Sequence, residues 1–270
     1  MLFRDACATR VVTGEKVKVR SDDLTEASGM VASRRRPGWF WTHNDSGDGP
    51  RIFGIGPGGQ AQVVSVSDAA ALDWEDIAPD RTAAGDGLWL GDIGDNREQR
   101  SSIDLYRVPE PDAATRSVAA ARLTLQYPDG SHNAEALLRD PADGGLVILA
   151  KEPTTARIYT FDPPDAGGGR GRLRAGGQFR IGDAPGKVVT GADVSPDRST
   201  IAVRTYGEVW LYRLRPTQSI PDALGTKPCK APAAVEVQGE AVAFLADSRG
   251  YATISEGRRP TISEYRSPEP

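Results

Sequence analysis

Two cysteines and two histidines are all that 270 residues carry. Two thiols, Cys7 and Cys229, cannot define a zinc site by themselves, and no CxxC pair is present. No apolar run approaches the roughly 18 residues that a bilayer-crossing helix needs. The start, Met1-Leu2-Phe3-Arg4-Asp5, lacks the apolar stretch of a secretory leader. Charge of one sign is also missing: the formal net charge is −4 and the basic residues are scattered, which argues against a nucleic-acid footprint. Helical periodicity is nearly absent, and Ala113 to Arg122 is the one stretch that a helix would suit. No Gly-x-Ser-x-Gly nucleophile elbow occurs. The segment Gly182 to Lys187 is one residue short of a phosphate loop, lacks its Ser/Thr and opens no helix.

Glycine (30) and proline (20) are plentiful instead, as a chain of many short strands and turns requires. Charged residues at 26% and hydrophobic residues at 39% are ordinary for a globular protein. Five segments superpose: Ser28 to Ser33, Glu75 to Asp80, Glu135 to Asp140, Ala192 to Asp197 and Glu240 to Leu245. Each has apolar residues at positions three to five and runs into a turn. Their starts lie roughly 47 to 60 residues apart, the period of a four-stranded propeller blade.

Second and third strand-like runs follow each segment, as in Leu146 to Lys151 and Arg157 to Phe161. Outer strands are expected at Gln62–Ser67, Ala121–Tyr127, Gly177–Ile181 and Ala233–Val237. The fifth repeat ends without one, and the N-terminal runs from Thr9 and from Lys16 to Arg20 can supply it. The expected fold is therefore all-β: one domain over residues 1–270, a five-bladed β-propeller with four-stranded antiparallel blades, closed by the N-terminal strand. Cys7 and Cys229 then fall on neighbouring blades. A disulfide between them is sterically possible, with two free thiols as the alternative. A bond favours an exported protein whose leader has been removed over a cytoplasmic one.

Inner strands begin on the face where second strands end, because the two are antiparallel. Ser28, Glu75, Glu135, Ala192 and Glu240 therefore ring one end of the pore. Three carboxylates and a hydroxyl so close would repel if left bare. A hard cation held by Ser28, Glu75, Glu135 and Glu240 relieves this, calcium (Ca2+) before magnesium (Mg2+); neutralisation by Lys151 and Arg204 is the alternative. The second-strand ends add His43, Asn44 and Asp45, then Asp92, Lys151, Arg204 with Tyr206, and Glu256. Such chemical variety suits a ligand site better than a structural ring does. Asp73-Trp74-Glu75-Asp76 places Trp74 where it walls a pocket or packs in the core. Asp80, Asp140 and Asp197 at the far strand ends read as turn residues.

Thr42 to Gly47, Asp73 to Ala78 and Gly91 to Asn96 together resemble a group of uncharacterised bacterial propeller proteins, often exported, to which no reaction is attached. A more distant similarity is to the calcium-activated nucleotidases, or apyrases. These are five-bladed propellers that hold calcium through Ser and Glu residues at the inner-strand starts. Ser28, Glu75, Glu135 and Glu240 match that ring; Ala192 departs from it, leaving Asp193 or Thr190 to substitute.

A pore cation acting as a Lewis acid would make the chain a metal-dependent hydrolase of a small anionic substrate, a phosphoester or nucleotide first and a glycan second. In that scheme Lys151, Arg204, Tyr206, Asn44 and Trp74 bind substrate, and His43, Asp92 or Glu256 activates water. The competing expectation is a non-catalytic binding propeller with a structural calcium. Either way the chain is expected to act alone as a monomer, without nucleic acid or membrane span. A substrate site needs His43, Lys151 and Arg204 in one accessible pocket, whereas salt bridges that bury them pairwise favour the binding module.

Overall fold

A computed structural model describes residues 2–8, 10–82, 85–153, 155–164, 166–182, 187–236 and 238–268. The chain starts with a short helix α1 (Leu2–Cys7) and strand β1 (Val12–Lys18). Blade one is β2 (Ala27–Ala32), β3 (Phe40–Asn44), β4 (Arg51–Ile55) and β5 (Ala61–Ser67). Blade two is β6 (Trp74–Thr82), β7 (Gly85–Asp92), β8 (Ile103–Pro109) and, after the short β9 (Ser117–Ala119), β10 (Ala121–Gln126). Blade three is β11 (Ala134–Arg139), β12 (Leu146–Ala150), β13 (Ala156–Phe161) and, after β14 (Gly169–Arg172), β15 (Arg174–Phe179). Blade four is β16 (Gly191–Val194), β17 (Thr200–Arg204), β18 (Val209–Arg213) and, after helix α2 (Ile220–Leu224), β19 (Cys229–Ala231). Blade five is β20 (Gly239–Phe244), β21 (Gly250–Ser255) and β22 (Thr261–Arg266), completed by β1.

The expected five-bladed propeller is therefore the fold, and β1 closes it by pairing with β22 through Val17 and Ile262. Four details differ from the sequence expectation. The outer strand of blade four is Cys229–Ala231; the expected Ala233–Val237 is loop as far as residue 236, and Val237, like Thr9, lies outside the described residues. Pro232 lacks the N–H that would carry the ladder on. The outer strand of blade three starts at Arg174 rather than Gly177, with a slip of register beside Tyr159. Ala113 to Arg122 is a turn followed by β9 and β10, not a helix. Finally, β9 and β14 pair in parallel with β5 and β10, so blades one and two carry a fifth strand that covers their open edges.

The core lies between blades. One buried cluster fills each of the five interfaces; Leu138, Val147 and Leu149 of blade three, for example, meet Ile201, Val203 and Tyr212 of blade four. Middle strands such as β12 and β17 are buried along their whole length, which explains their runs of branched and aliphatic residues. The cluster between blades four and five extends to Leu2 and Ala6 of α1. Cys7 and Cys229 form a disulfide across 222 residues of sequence, tying α1 to β19.

At the axis, inner strands expose one edge of backbone to each other rather than to water, so those amides need acceptors. Asp76 takes Ile77 N at 2.8 Å, Leu137 N at 2.9 Å and Ala192 N at 3.4 Å. Asp193 takes Val194 N and Phe244 N, each at 2.7 Å. Ser28 Oγ donates to Glu75 O at 2.7 Å, and Thr190 Oγ1 to Gly239 O at 2.9 Å. These links run round the ring from blade one to blade five. At the opposite end, Asp80 is no turn residue: it is buried and receives Arg107 and Arg139.

Candidate metal and substrate site at the pore mouth

Three of the expected carboxylates reach the pore mouth through the same local device. Register slips by one residue between Trp74 and Asp76, between Ala134 and Ala136, and between Gly239 and Ala241. Glu75, Glu135 and Glu240 are the extra residues, and a bulge turns its side chain out of the ladder. Blade one places the slip at Gly29 (φ +41), where a Cβ would sit 2.7 Å from His43 Nε2. Blade four has no slip, and Ala192 pairs with Val203.

Glu75 meets two aspartates that stand just outside strands of different blades. Asp45 follows β3 and Asp73 precedes β6. Oxygens of Asp45, Asp73 and Glu75 lie within 4.8 Å of one another, a group that could hold a metal ion. Burial raises the Asp45 and Asp73 carboxyls to about 6, and each also feels neighbouring carboxylates. Glu75 is pushed well above its ordinary value by burial, then by Glu135, Asp45 and Asp73. Three acids that cannot all ionise together are what a dication resolves. Gly94 makes room for them, because any Cβ there would collide with the Asp73 and Glu75 carboxylates. The donor set is all oxygen, which fits a hard cation.

Glu135 adjoins Glu75 and is held by Lys151 Nζ at 2.8 Å and by Asn133 Nδ2 at 3.3 Å. Lys151 also lies 5.1 Å from the ring centre of Tyr206, which is exposed. Burial opposes the Lys151 ammonium, but Glu135 and Tyr206 outweigh it and raise its pKa. Glu240 is raised to about 8 by burial, with Glu135 and Glu256 adding to the effect against a hydrogen bond to Gln238. Glu256 is partly exposed and is likewise raised by burial, then by Glu26. Lys151 is thus one cation among several carboxyl groups.

The remaining predicted residues sit apart from this cluster or behind it. Ser28 is turned to the Glu75 carbonyl. His43 is fully buried against Trp74, with Nδ1 beside Asn44 O; burial lowers it to about 4, so it is neutral at pH 7. Its Nε2 has no hydrogen-bond partner among the described residues. Trp74 is a core residue whose Nε1 donates to Ala70 O at 2.8 Å. Asn44 clamps its own loop, accepting Thr25 N and Glu26 N and donating to Asp23 O and Asp48.

Asp92 is buried, paired with Arg100 at 2.7 Å, and accepts Leu72 N and Asp73 N. It therefore positions the Asp73 turn. Arg204 is fully buried and pairs with Glu236 at 2.5 Å; among the described residues its Nε and Nη1 have no partner. Asp193 and Thr190, the substitutes considered for Ala192, are used on the backbone of blade five. His43, Lys151 and Arg204 thus do not share one accessible pocket.

Sequence reasoning named Asp45 and Asp73 without assigning them as ligands. Each is one residue beyond a strand end, so strand alternation says nothing about its direction. The available signal was position: both flank residues already expected at the pore mouth.

An acidic cluster at the pore mouth of a five-bladed propeller is the class that fold and site define. No family model and no curated protein matches the chain. Among solved structures it is similar to a gluconolactonase from Xanthomonas campestris that is important in glucose secondary metabolic pathways. The two share 11% identity over 95% of this chain and 99% of that one, with a TM-score of 0.52. At that identity the likeness is one of fold.

Proposed function

We propose that the pore mouth holds a divalent cation and that the protein hydrolyses a small anionic ester there. The observation that carries this reading is the convergence of Asp45, Asp73 and Glu75 within 4.8 Å. These three would hold the ion, and calcium suits them better than magnesium because blades set the oxygens apart without an octahedral constraint. A bound cation supplies Lewis acidity toward an ester oxygen. Lys151, beside exposed Tyr206, would hold the anionic group of the substrate. Glu256, partly exposed and facing the same carboxylates, is the candidate to accept a proton from water. Asp92 acts through Asp73 as a positioning residue.

The fold likeness to a gluconolactonase makes a lactone that also bears an acidic group the first ester to assay, followed by phosphoesters and nucleotides. The disulfide fits an oxidising compartment and so export. Among the described residues no helix is long and apolar enough to cross a membrane.

A second reading, a binding propeller with a structural calcium, draws on the burial of His43 and on the Arg204–Glu236 pair. Thermal unfolding with calcium, magnesium or EDTA, on wild type and Glu75→Gln, tests the ion. A calcium-specific rise that Glu75→Gln abolishes is expected, since a ligand of the native state raises its stability. No shift with either metal overturns the cation site. A calcium shift without turnover of lactones or phosphoesters leaves the binding module.

A further inference from the structure

At the outer side of blade four, a groove of about 610 Å³ lies between α1 and the end of β18 with the segment that follows it. Arg4 of α1 forms one wall, and Arg213 and Arg215 form the other. All three arginines are exposed. No carboxylate lines the groove, and among the described residues none of these guanidinium groups makes an ion pair or side-chain hydrogen bond. That contrasts with Arg100, Arg107, Arg122 and Arg204, each spent on an acid. Phe3, Leu214 and Pro216 supply apolar surface between the charges. A second hollow of about 390 Å³ adjoins it at Leu214, Arg215 and Pro216, and its far side carries Asp197 and Arg198.

Three cations around one concave surface repel until an anion lies among them. A guanidinium is planar and offers paired donors that match two oxygens of one phosphate. The apolar residues suit a carbon skeleton attached to that phosphate. We propose that this groove binds a small organic phosphate, and that the Cys7–Cys229 disulfide keeps the site assembled.

The second clause follows from α1. It is six residues long, too short to persist in water by itself. Its tether is the Cys7–Cys229 bond, three residues beyond Arg4, together with the packing of Leu2 and Ala6. Reduction loosens the wall that carries Arg4 and leaves the Arg213–Arg215 wall in place. The site is independent of the reading given to the pore mouth.

Calorimetric titration of the oxidised full chain with phenyl phosphate, with inorganic phosphate as the second arm, tests the proposal at fixed ionic strength set with chloride. One saturable site is expected, with phenyl phosphate binding more tightly than inorganic phosphate. The exposed double variant Arg213→Ala/Arg215→Ala should weaken binding about tenfold or more. Arg4→Ala, which keeps the disulfide, should weaken it several-fold, and so should reduction of the wild type. No saturable heat, or equal binding by the double variant, overturns the site. Equal affinity for the two phosphates removes the organic part of the ligand. Unchanged affinity in both Arg4→Ala and the reduced protein overturns the role of the disulfide.

Discussion

The carboxylate of Asp76 in blade two accepts the backbone N–H of Leu137 in blade three at 2.9 Å. With Ile77 N and Ala192 N it gathers amides of three blades at the axis, all of buried residues. Asp76→Ala strands all three. The expected cost is about 3 to 5 kcal/mol, the loss of a buried acceptor from several donors. Urea unfolding midpoints of wild type and variant measure it. A change under about 1 kcal/mol would mean that the Asp76 links add little to what packing and the other axial hydrogen bonds already supply.

Gly94 leaves open the space in which the proposed ion would meet the Asp73 and Glu75 carboxylates. In Gly94→Ala the new methyl displaces the Asp73 and Glu75 carboxylates. The calcium-dependent rise in melting temperature should disappear, while stability in EDTA falls by only about 1 to 3 kcal/mol, the range for overpacking. An undiminished calcium response in this variant would place the ion elsewhere.

Glu208 offers a pH test away from the site. Partial burial disfavours its charge, but hydrogen bonds from Lys187, Lys230 and Trp210 outweigh this and lower its carboxyl to about 2, against an ordinary 4.5. A carboxyl depressed by folding stabilises the native state fully above its unfolded value. That contribution fades as pH falls from 4.5 through about 2. Wild type should therefore exceed Glu208→Gln in stability by a constant margin above pH 5, and the two should converge toward pH 2. Denaturant titrations across that window record the margin; a margin that widens on acidification contradicts the assignment.

Arg204 was expected to grip substrate, yet it is fully buried beside Glu236, which also accepts Thr253 Oγ1 at 2.8 Å. Arg204→Ala leaves the Glu236 carboxylate buried without its cation and should cost about 3 to 5 kcal/mol. In an assay with an active substrate, KM at a temperature where the variant stays folded should not move. A large rise in KM with little loss of stability would return Arg204 to the binding surface.

Sequence alone determined the architecture, because a blade writes itself into the chain. Strands buried on both faces need unbroken apolar runs such as Leu146–Ala150, and their recurrence counts the blades. The same logic reached the pore mouth: Glu75, Glu135 and Glu240 open equivalent strands, and equivalence in a ring means convergence. It also foresaw the Cys7–Cys229 bond as a possibility, since ring closure makes distant residues neighbours.

Tertiary structure decided which of those polar residues remain free. Adjacent positions look alike in a string, but a one-residue bulge sends Glu75 to the pore mouth and leaves Asp76 to take backbone amides. Asp45 and Asp73 meet only because two blades bring their strand ends side by side. Whether His43, Asp92 or Arg204 faces solvent depends on what packs over it, and those partners come from distant segments of the chain. Periodicity records which face of a strand is buried; it carries no record of how charges pair across a ring.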